Sequence, residues 1–468
     1  MTAPADLTDL VQQWIGLQRW FGGKGRAAEI TLSELAILPG TDPEVTIWLV
    51  RADYGAGGVE TYQLPLVVYP APMAALDHVQ LGTLTTPDGR TGWVYDALHD
   101  KAVTGAWLTG IRDGVRTGSL VFHNESDAAA IPVQENSLVL SGEQSNTSLA
   151  FSDAAILKVF RRVQPGVNPD VEIHTALSRH GGKHLARILG SVEAVYDGQS
   201  HSLAMLQEFM TTATDGWEAA KTSVRDLMAE ADLHAEEAGG DFAAESHRLG
   251  AAVAQVHREL AEAFGTELAT PEDVLADIAA MRARLAEAAT AVPGLDVLAP
   301  ALDELFAASL VAEPGGIRLQ RVHGDLHLAQ ALRTVHRWVI IDFEGEPLVA
   351  LADRRALRSA LRDVAGMLRS FDYVAQQYLL DTRGEPIGSP DANQQLAYRA
   401  AEWTQRNQDA FCTGYAEVAE SDPREHADWL RALEADKAIY EAVYESRNRP
   451  TWLPIPMAAL TRLAEGGD

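Results

Sequence analysis

Apolar and polar positions alternate along the first part of the chain and shift to helical spacing along the second. After a short amphipathic stretch from Leu7 to Leu17, residues 45–53 and 60–69 read as strands joined by the glycine-rich turn Gly55-Ala56-Gly57-Gly58. Gly92 to Tyr95 reads as another strand. From about residue 105 the strand signals continue: 137–140 runs into the polar turn Gly142-Glu143-Gln144-Ser145-Asn146, followed by strands at 148–151 and 155–160. A helix is expected at 170–180, and Asp197-Gly198 marks a hairpin leading into the strand 202–209.

Beyond about residue 217 helical patterns dominate, at 243–264, 271–289, 353–380, 394–420 and 425–447. The run 337–343 is the exception. It is too β-branched and too short for a helix and is bounded by Gly345 and Pro347, which predicts a buried strand ending in acids. The charged stretch 229–247 reads as a solvated helix or loop. No internal repeat or long low-complexity linker is visible. The pattern predicts an α+β protein with a β-rich unit at 1–104, a second β-rich unit at 105–209 and a helical unit at 210–468, in keeping with the length of 468 residues.

Composition narrows the function classes. The chain carries 38 Lys and Arg against 66 Asp and Glu, a formal net charge of −28 that repels nucleic acid and anionic membranes unless a strong local basic patch intervenes. No such patch stands out in the sequence. Cys412 is the single cysteine, so an intrachain disulfide and a cysteine-rich zinc or iron–sulfur site are excluded. No apolar run reaches membrane-spanning length and no export signal is evident, so a cytoplasmic protein is expected.

Phosphoryl transfer needs a carboxylate near the acceptor hydroxyl and hard ligands for the metal that holds the phosphates. The loop Val322-His323-Gly324-Asp325-Leu326-His327-Leu328-Ala329-Gln330 offers these at the spacing of a kinase catalytic loop, where the base aspartate precedes a metal-binding amide by five positions. Asp325 is the expected base and Gln330 the amide ligand. Twelve residues after Gln330, a hydrophobic strand delivers Asp342 as a second metal ligand, with Glu344 beside it. Upstream, Lys158 in the strand 155–160 is either an exposed alternate position or the cation for the α- and β-phosphates, with Glu172 on the following helix to fix it. Ser145 belongs to a turn, residues 142–147, suited to cover the phosphates. Gln207, Glu208 and Phe209 fall where a hinge would meet adenine, and Asp215 just beyond could reach ribose or cap a helix. The cofactors these residues call for are ATP and Mg2+. The Lys24 segment lacks the Ser or Thr of a phosphate-binding P-loop and reads as a structural turn. Trp403 could stack on a sugar or fill the core.

In this order the motifs resemble the aminoglycoside-phosphotransferase-like kinases, and more closely the maltokinase-like sugar kinases with the actinobacterial glucosamine kinases among them. The resemblance spans nearly the whole chain. It includes Gln18-Arg19-Trp20-Phe21 with Gly23 to Arg26, Glu143 to Ser148, the 323–330 loop, Asp342 to Pro347, Leu361 to Tyr373, and Arg447-Asn448-Arg449-Pro450 leading to Trp452-Leu453-Pro454-Ile455-Pro456. It implies a bilobal, eukaryotic-protein-kinase-like fold with an N-terminal cap, using Mg-ATP to phosphorylate a small-molecule sugar, either glucosamine at its 6-hydroxyl or maltose at its anomeric hydroxyl.

Two features bear on that choice. Ala329 stands where family loops commonly have glycine. In the helix 433–449, residues 434, 437, 441, 445 and 448 form one polar stripe, which on a free helix is a surface laced with ion pairs. This segment also resembles the stretch that accompanies glucosamine specificity. Glu434, Asp436 and Glu441 are candidate partners for a substrate ammonium, through charge-assisted hydrogen bonds worth roughly 1.5–3 kcal/mol, with Arg449 completing the substrate set. Glucosamine is the preferred expectation and maltose the alternative. A metal-dependent hydrolase using His323, Asp325, His327 and Asp342 leaves Lys158 and the upstream turn unexplained. A catalytically inert nucleotide-binding module sits poorly with the presence of Lys158, Asp325, Gln330 and Asp342.

Overall fold

The computed structural model describes residues 5–126, 128–140, 145–229, 234–237, 240–312, 317–346, 349–382 and 390–466. The chain divides into two compact units, residues 1–178 with 186–211, and residues 179–185 with 212–468. Gly142, Glu143 and Gln144 of the expected phosphate-covering turn, Pro347, and parts of the 229–247 stretch lie outside the described residues.

The first unit holds two antiparallel sheets. One has the order β1-β2-β3-β5-β4, from β1 (Glu29–Ile37), β2 (Val45–Asp53), β3 (Val59–Tyr69), β4 (Gln80–Thr85) and β5 (Thr91–Asp96), with α1 (Ala5–Ile15) placing Leu7, Val11, Trp14 and Ile15 in its core. The other has the order β6-β7-β11-β12-β10-β9-β8, from β6 (Arg116–Thr117), β7 (Leu120–Asn124), β8 (Ser137–Val139), β9 (Thr147–Phe151), β10 (Ala155–Val159), β11 (Ile188–Tyr196) and β12 (Gln199–Glu208). The β11–β12 hairpin turns at Asp197 and Gly198, both at positive φ, as a two-residue turn requires.

Between the sheets in sequence lies α2 (Lys101–Asp113), capped by the Asp100 carboxylate and ended by left-handed Gly114. Its buried Val103, Trp107, Leu108 and Ile111 join residues of both sheets in one apolar core, so the expected junction at 104/105 falls inside a helix. Polar contacts fasten the sheets as well. Gln63 on β3 donates from Nε2 to the carbonyls of Phe160 (2.7 Å) and Leu203 (2.6 Å), and the buried Arg161 guanidinium meets Asp96 at 2.5 Å while lying over the Trp20 ring. The unit is completed by α3 (Pro169–Arg179).

The second unit is mainly helical: α4 (Gly216–Ala229), α5 (Ala243–Phe264), α6 (Pro271–Ala291), α7 (Leu295–Ala312), α8 (Leu351–Arg354), α9 (Leu361–Thr382), α10 (Pro390–Ala419), α11 (Ala427–Asn448) and α12 (Pro454–Ala464). Helices α5 and α10 approach until their backbones touch. A Cβ on Gly250 would lie 2.0 Å from the Phe411 carbonyl oxygen, and one on Gly414 would lie 1.9 Å from that of His247. Trp403 is core: it is buried, donates to Ser223 Oγ at 3.1 Å and stacks on Phe242. Two three-stranded sheets interrupt the helices. The order β13-β16-β17 unites β13 (Thr214–Asp215), β16 (Ala331–Arg333) and β17 (Trp338–Ile340), and β14-β15-β18 unites β14 (Thr266–Leu268), β15 (Arg318–Gln320) and β18 (Arg358–Ser359). The α+β class, β-rich first and helical later, is the one expected. Among the described residues no helix is long and apolar enough to cross a membrane.

Candidate active site

The loop between β15 and β16 carries the expected chemistry, and its shape is dictated by Asp363 in the first turn of α9. That buried carboxylate accepts from the His323 amide (2.7 Å) and the Gly324 amide (2.9 Å), and it faces His257 Nε2 at 2.9 Å. Burial works against its charge, yet the hydrogen bonds and the nearby imidazoles hold its pKa below the usual carboxylate value. His323 closes the loop onto the next strand, its Nε2 lying 2.9 Å from the Ile341 carbonyl oxygen. Gly324 is left-handed (φ 84), and a Cβ there would meet Gly345 at 3.4 Å. Gly366 on α9 is required too, because a Cβ would stand 2.5 Å from the Leu326 carbonyl oxygen.

The β16–β17 hairpin brings Gln330 and Asp342 together. The Gln330 Nε2 donates to Asp342 Oδ2 at 2.9 Å, and the Ile341 amide donates to the Gln330 carbonyl. Asp342 is held at φ 67, which turns the chain away from the strand direction immediately after β17. Glu344 follows in the same turn, its carbonyl bonded by Arg354 at 2.9 Å.

Asp325 has a partner that the sequence did not suggest. Lys437 on α11 places Nζ 2.8 Å from Asp325 Oδ1 and 3.0 Å from Glu346 Oε1, bridging the two carboxylates. Burial raises the Asp325 pKa, but the lysine ammonium and the neighbouring imidazoles outweigh it and bring the carboxyl down to about 2. Among the described residues the other oxygen of Asp325 accepts no hydrogen bond. Asp325, Glu346 and Lys437 wall a cavity of about 630 Å³.

Of the acids considered for a substrate amine, Asp436 alone lines that cavity, and it is gripped by Arg284 (2.8 and 2.6 Å) and by Arg362 (3.4 Å). Glu441 is held by Arg369 at 2.7 Å. Glu434 lies outside the lining, and burial pushes its pKa up to about 7. Arg449 forms a salt bridge with Glu445 at 2.6 Å and lies over the Trp452 ring. The stripe on α11 is therefore not a wholly solvated face: Lys437 meets the loop carboxylates Asp325 and Glu346, Glu441 meets Arg369 of α9, and Glu445 accepts from Tyr373 of α9.

In the first unit, Lys158 is 5 % exposed and bonds Asp170 at 3.1 Å, the carboxylate being 1 % exposed and also facing His174 at 3.0 Å. Burial opposes the Asp170 charge, but Lys158 and His174 hold its pKa far below the ordinary value. A helix carboxylate bonded to Lys158 is thus Asp170, two residues before the expected Glu172 and about 200° from it around α3. At the expected adenine contact, the amides of Glu208 and Phe209 already donate to the carbonyls of Arg187 and Ala154, and Gln207 pairs with Ile156 and Ile188 within the sheet. Ser145 sits exposed in a bend before β9. Asp215, in the second unit, caps α4 by accepting from the Trp217 amide at 2.7 Å, which supplies a structural role without any nucleotide.

The fold and the spacing of the loop are those of a kinase. Residues 14–100 match the maltokinase N-terminal cap domain. A glucosamine kinase of Streptacidiphilus jiangxiensis is 31% identical over 360 residues, 74% of this chain and 77% of the relative. One from Mycolicibacterium smegmatis is 29% identical over 331 residues, 69% and 79% of the two chains. The fold is shared with a solved glucosamine kinase in complex with glucosamine, ADP and inorganic phosphate, at TM-score 0.66 and 23% identity, covering 99% of this chain and 100% of that one. The chain belongs to the maltokinase-like sugar kinase family that contains these glucosamine kinases.

Proposed function

We propose that the protein transfers the γ-phosphate of ATP to the 6-hydroxyl of D-glucosamine, giving glucosamine 6-phosphate. The observation that carries this reading is the Asp325–Lys437–Glu346 cluster, in which two carboxylates on one cavity wall enclose an ammonium. An amino sugar brings a second cation to oxygens the lysine leaves over, and charge-assisted hydrogen bonds of that kind contribute about 1.5–3 kcal/mol. A neutral disaccharide offers nothing comparable. The 31% identity to a glucosamine kinase supports the same substrate.

Asp325, ionised, takes the proton of the attacking hydroxyl, and Lys158, fixed by Asp170, serves the α- and β-phosphates. Gln330, Asp342 and Glu344 supply hard oxygen ligands of the kind Mg2+ prefers, once the Gln330 amide turns its oxygen in place of its nitrogen. Held by these residues, Mg2+ would neutralise phosphate charge. Adenine is assigned to the 207–209 segment through groups other than the amides of Glu208 and Phe209, with Ser145 near the phosphates and Asp215 near ribose.

A second reading, a maltokinase forming maltose 1-phosphate, is favoured by the cap match over residues 14–100. An ADP-release assay with Mg-ATP across glucosamine, glucose, maltose and an aminoglycoside, with phosphorus NMR of the product, separates the two. Glucosamine should exceed the others at least tenfold in kcat/KM, with the ester on oxygen 6. Preferential turnover of maltose at its anomeric oxygen overturns the proposal in favour of the second reading.

A further inference from the structure

The second unit also contains a larger groove, about 1020 Å³, that shares no lining residue with the Asp325 cavity. Stretches distant in sequence form it: residues 180–184, α5 from Glu245 to Glu262, and the β16–β17 hairpin from Arg333 to Trp338, with Val418 of α10 beside them. Together they present Lys183, Arg248, Arg258, Arg333 and Arg337. Against these stand Glu245, Glu259 and Glu262. Glu245 is already engaged twice, by Arg333 (2.5 Å) and Arg248 (2.6 Å), and Glu259 accepts from Gln255 at 2.8 Å.

Lys183, Arg258 and Arg337 consequently have no carboxylate partner among the described residues, and the side chains of Lys183 and Arg337 have no hydrogen bond there at all. With five Lys and Arg against three carboxylates the groove is locally cationic in a chain of net charge −28. Grouping unmatched cations in a concave site raises the free energy of the empty protein, and a bound anion relieves it.

We infer that this groove binds a small phosphorylated metabolite carrying two phosphate groups. Its size falls in the range of small-molecule sites. A long polyanion would extend over the acidic remainder of the surface, whereas a compact one stays within about 8 Å, the physiological screening length, of the cations. The groove also lies at one end of a stiff element whose other end carries Gln330 and Asp342. Thr334 Oγ1 locks the hairpin turn, donating to the Arg337 carbonyl and accepting the Arg337 amide. The His184 carbonyl accepts from the Ile340 amide at 2.8 Å, and His184 Nδ1 lies 2.9 Å from the Trp338 carbonyl oxygen. Two residue pairs, Ala331–Ile340 and Leu332–Val339, separate the groove-lining pair Arg333–Trp338 from Gln330 and Asp342, a span of about 10 Å of strand. Occupancy of the groove thus bears on the placement of Asp342.

Isothermal titration of the full-length protein with fructose 1,6-bisphosphate as the probe, and with inorganic phosphate as the control, tests the site without recourse to turnover. One bisphosphate should bind per chain at least tenfold more tightly than phosphate. The double variant Lys183→Ala/Arg337→Ala should weaken it at least tenfold while keeping the wild-type melting temperature and the kcat measured without probe. Absence of bisphosphate binding, equal binding by the variant, or phosphate binding as tight as that of the bisphosphate overturns the inference. None of these outcomes bears on which sugar the Asp325 cavity accepts.

Discussion

Replacing Lys437 by methionine keeps most of the side-chain volume and removes the charge that holds Asp325. Burial pushes the Asp325 carboxyl upward, and the lysine ammonium at 2.8 Å is the largest influence opposing it, with a net pKa of about 2 against an ordinary 3.8. That depression of about 2 units corresponds to about 2.5 kcal/mol in favour of the ionised base. Without the lysine the burial penalty is opposed by the neighbouring imidazoles alone, so the carboxyl should rise from about 2. The sign is fixed by the direction of the shift. A depressed carboxyl stays ionised down to its folded pKa, so in the wild type the acid limb of kcat/KM lies below the working range. In Lys437→Met it should enter that range, activity falling about tenfold per pH unit beneath the new pKa. The assay is kcat/KM for glucosamine from pH 4 to 9, with Lys437→Arg as the rescue that restores the charge. An acid limb in Lys437→Met identical to that of the wild type would refute this account of how the base is kept ionised.

Asp325→Asn should lower kcat by about 10²–10⁴, while nucleotide affinity measured by calorimetry stays within a few-fold of wild type. Unchanged turnover would remove Asp325 as the base. Glu434, half-buried with its pKa raised to about 7, is a group whose stabilising protonated form is lost as pH rises through that value, an effect of up to about 3 kcal/mol between pH 4.5 and 8. Glu434→Gln should therefore gain melting temperature over the wild type at pH 8 and not at pH 4.5, and an equal difference at both would contradict the shift. Gly414→Ala forces a methyl against the His247 carbonyl oxygen at 1.9 Å and should cost about 2 kcal/mol in urea unfolding, despite alanine's better helix propensity.

What could be read from the sequence follows contact distance. The 323–330 loop, the strand after it and Asp342 are consecutive, so their order alone shows the spacing of a kinase catalytic loop. Lys437 and Glu346 escaped because Lys437 meets Asp325 across 112 residues and Glu346 across 91, and no local pattern records such meetings. Asp363, 40 residues beyond His323, escaped for the same reason. Asp170 was not singled out because nothing local distinguishes the two acids at the start of α3, and the helix phase brings Asp170 to Lys158. Helix α2 was hidden because Thr104, Gly105, Thr109 and Gly110 lower its helix propensity, and packing of Trp107 and Ile111 overrides that preference. The acids of α11 met surroundings no local pattern records: Glu441 of the stripe and Asp436 beside it are matched to arginines on α9 and α6 that only the folded chain supplies.

The seam made by Gln63 and Arg161 has a bearing on how such caps are exchanged or trimmed. Gln63 satisfies two carbonyls of the neighbouring sheet, and Asp96 neutralises an arginine with no exposure to solvent. Deleting residues 1–100 would leave those acceptors and that cation stranded, along with the apolar residues the cap covers. The cap is thus an inherited structural partner of the sheet behind it, and a chimaera that swaps it between relatives has to carry Gln63 and Asp96 across together.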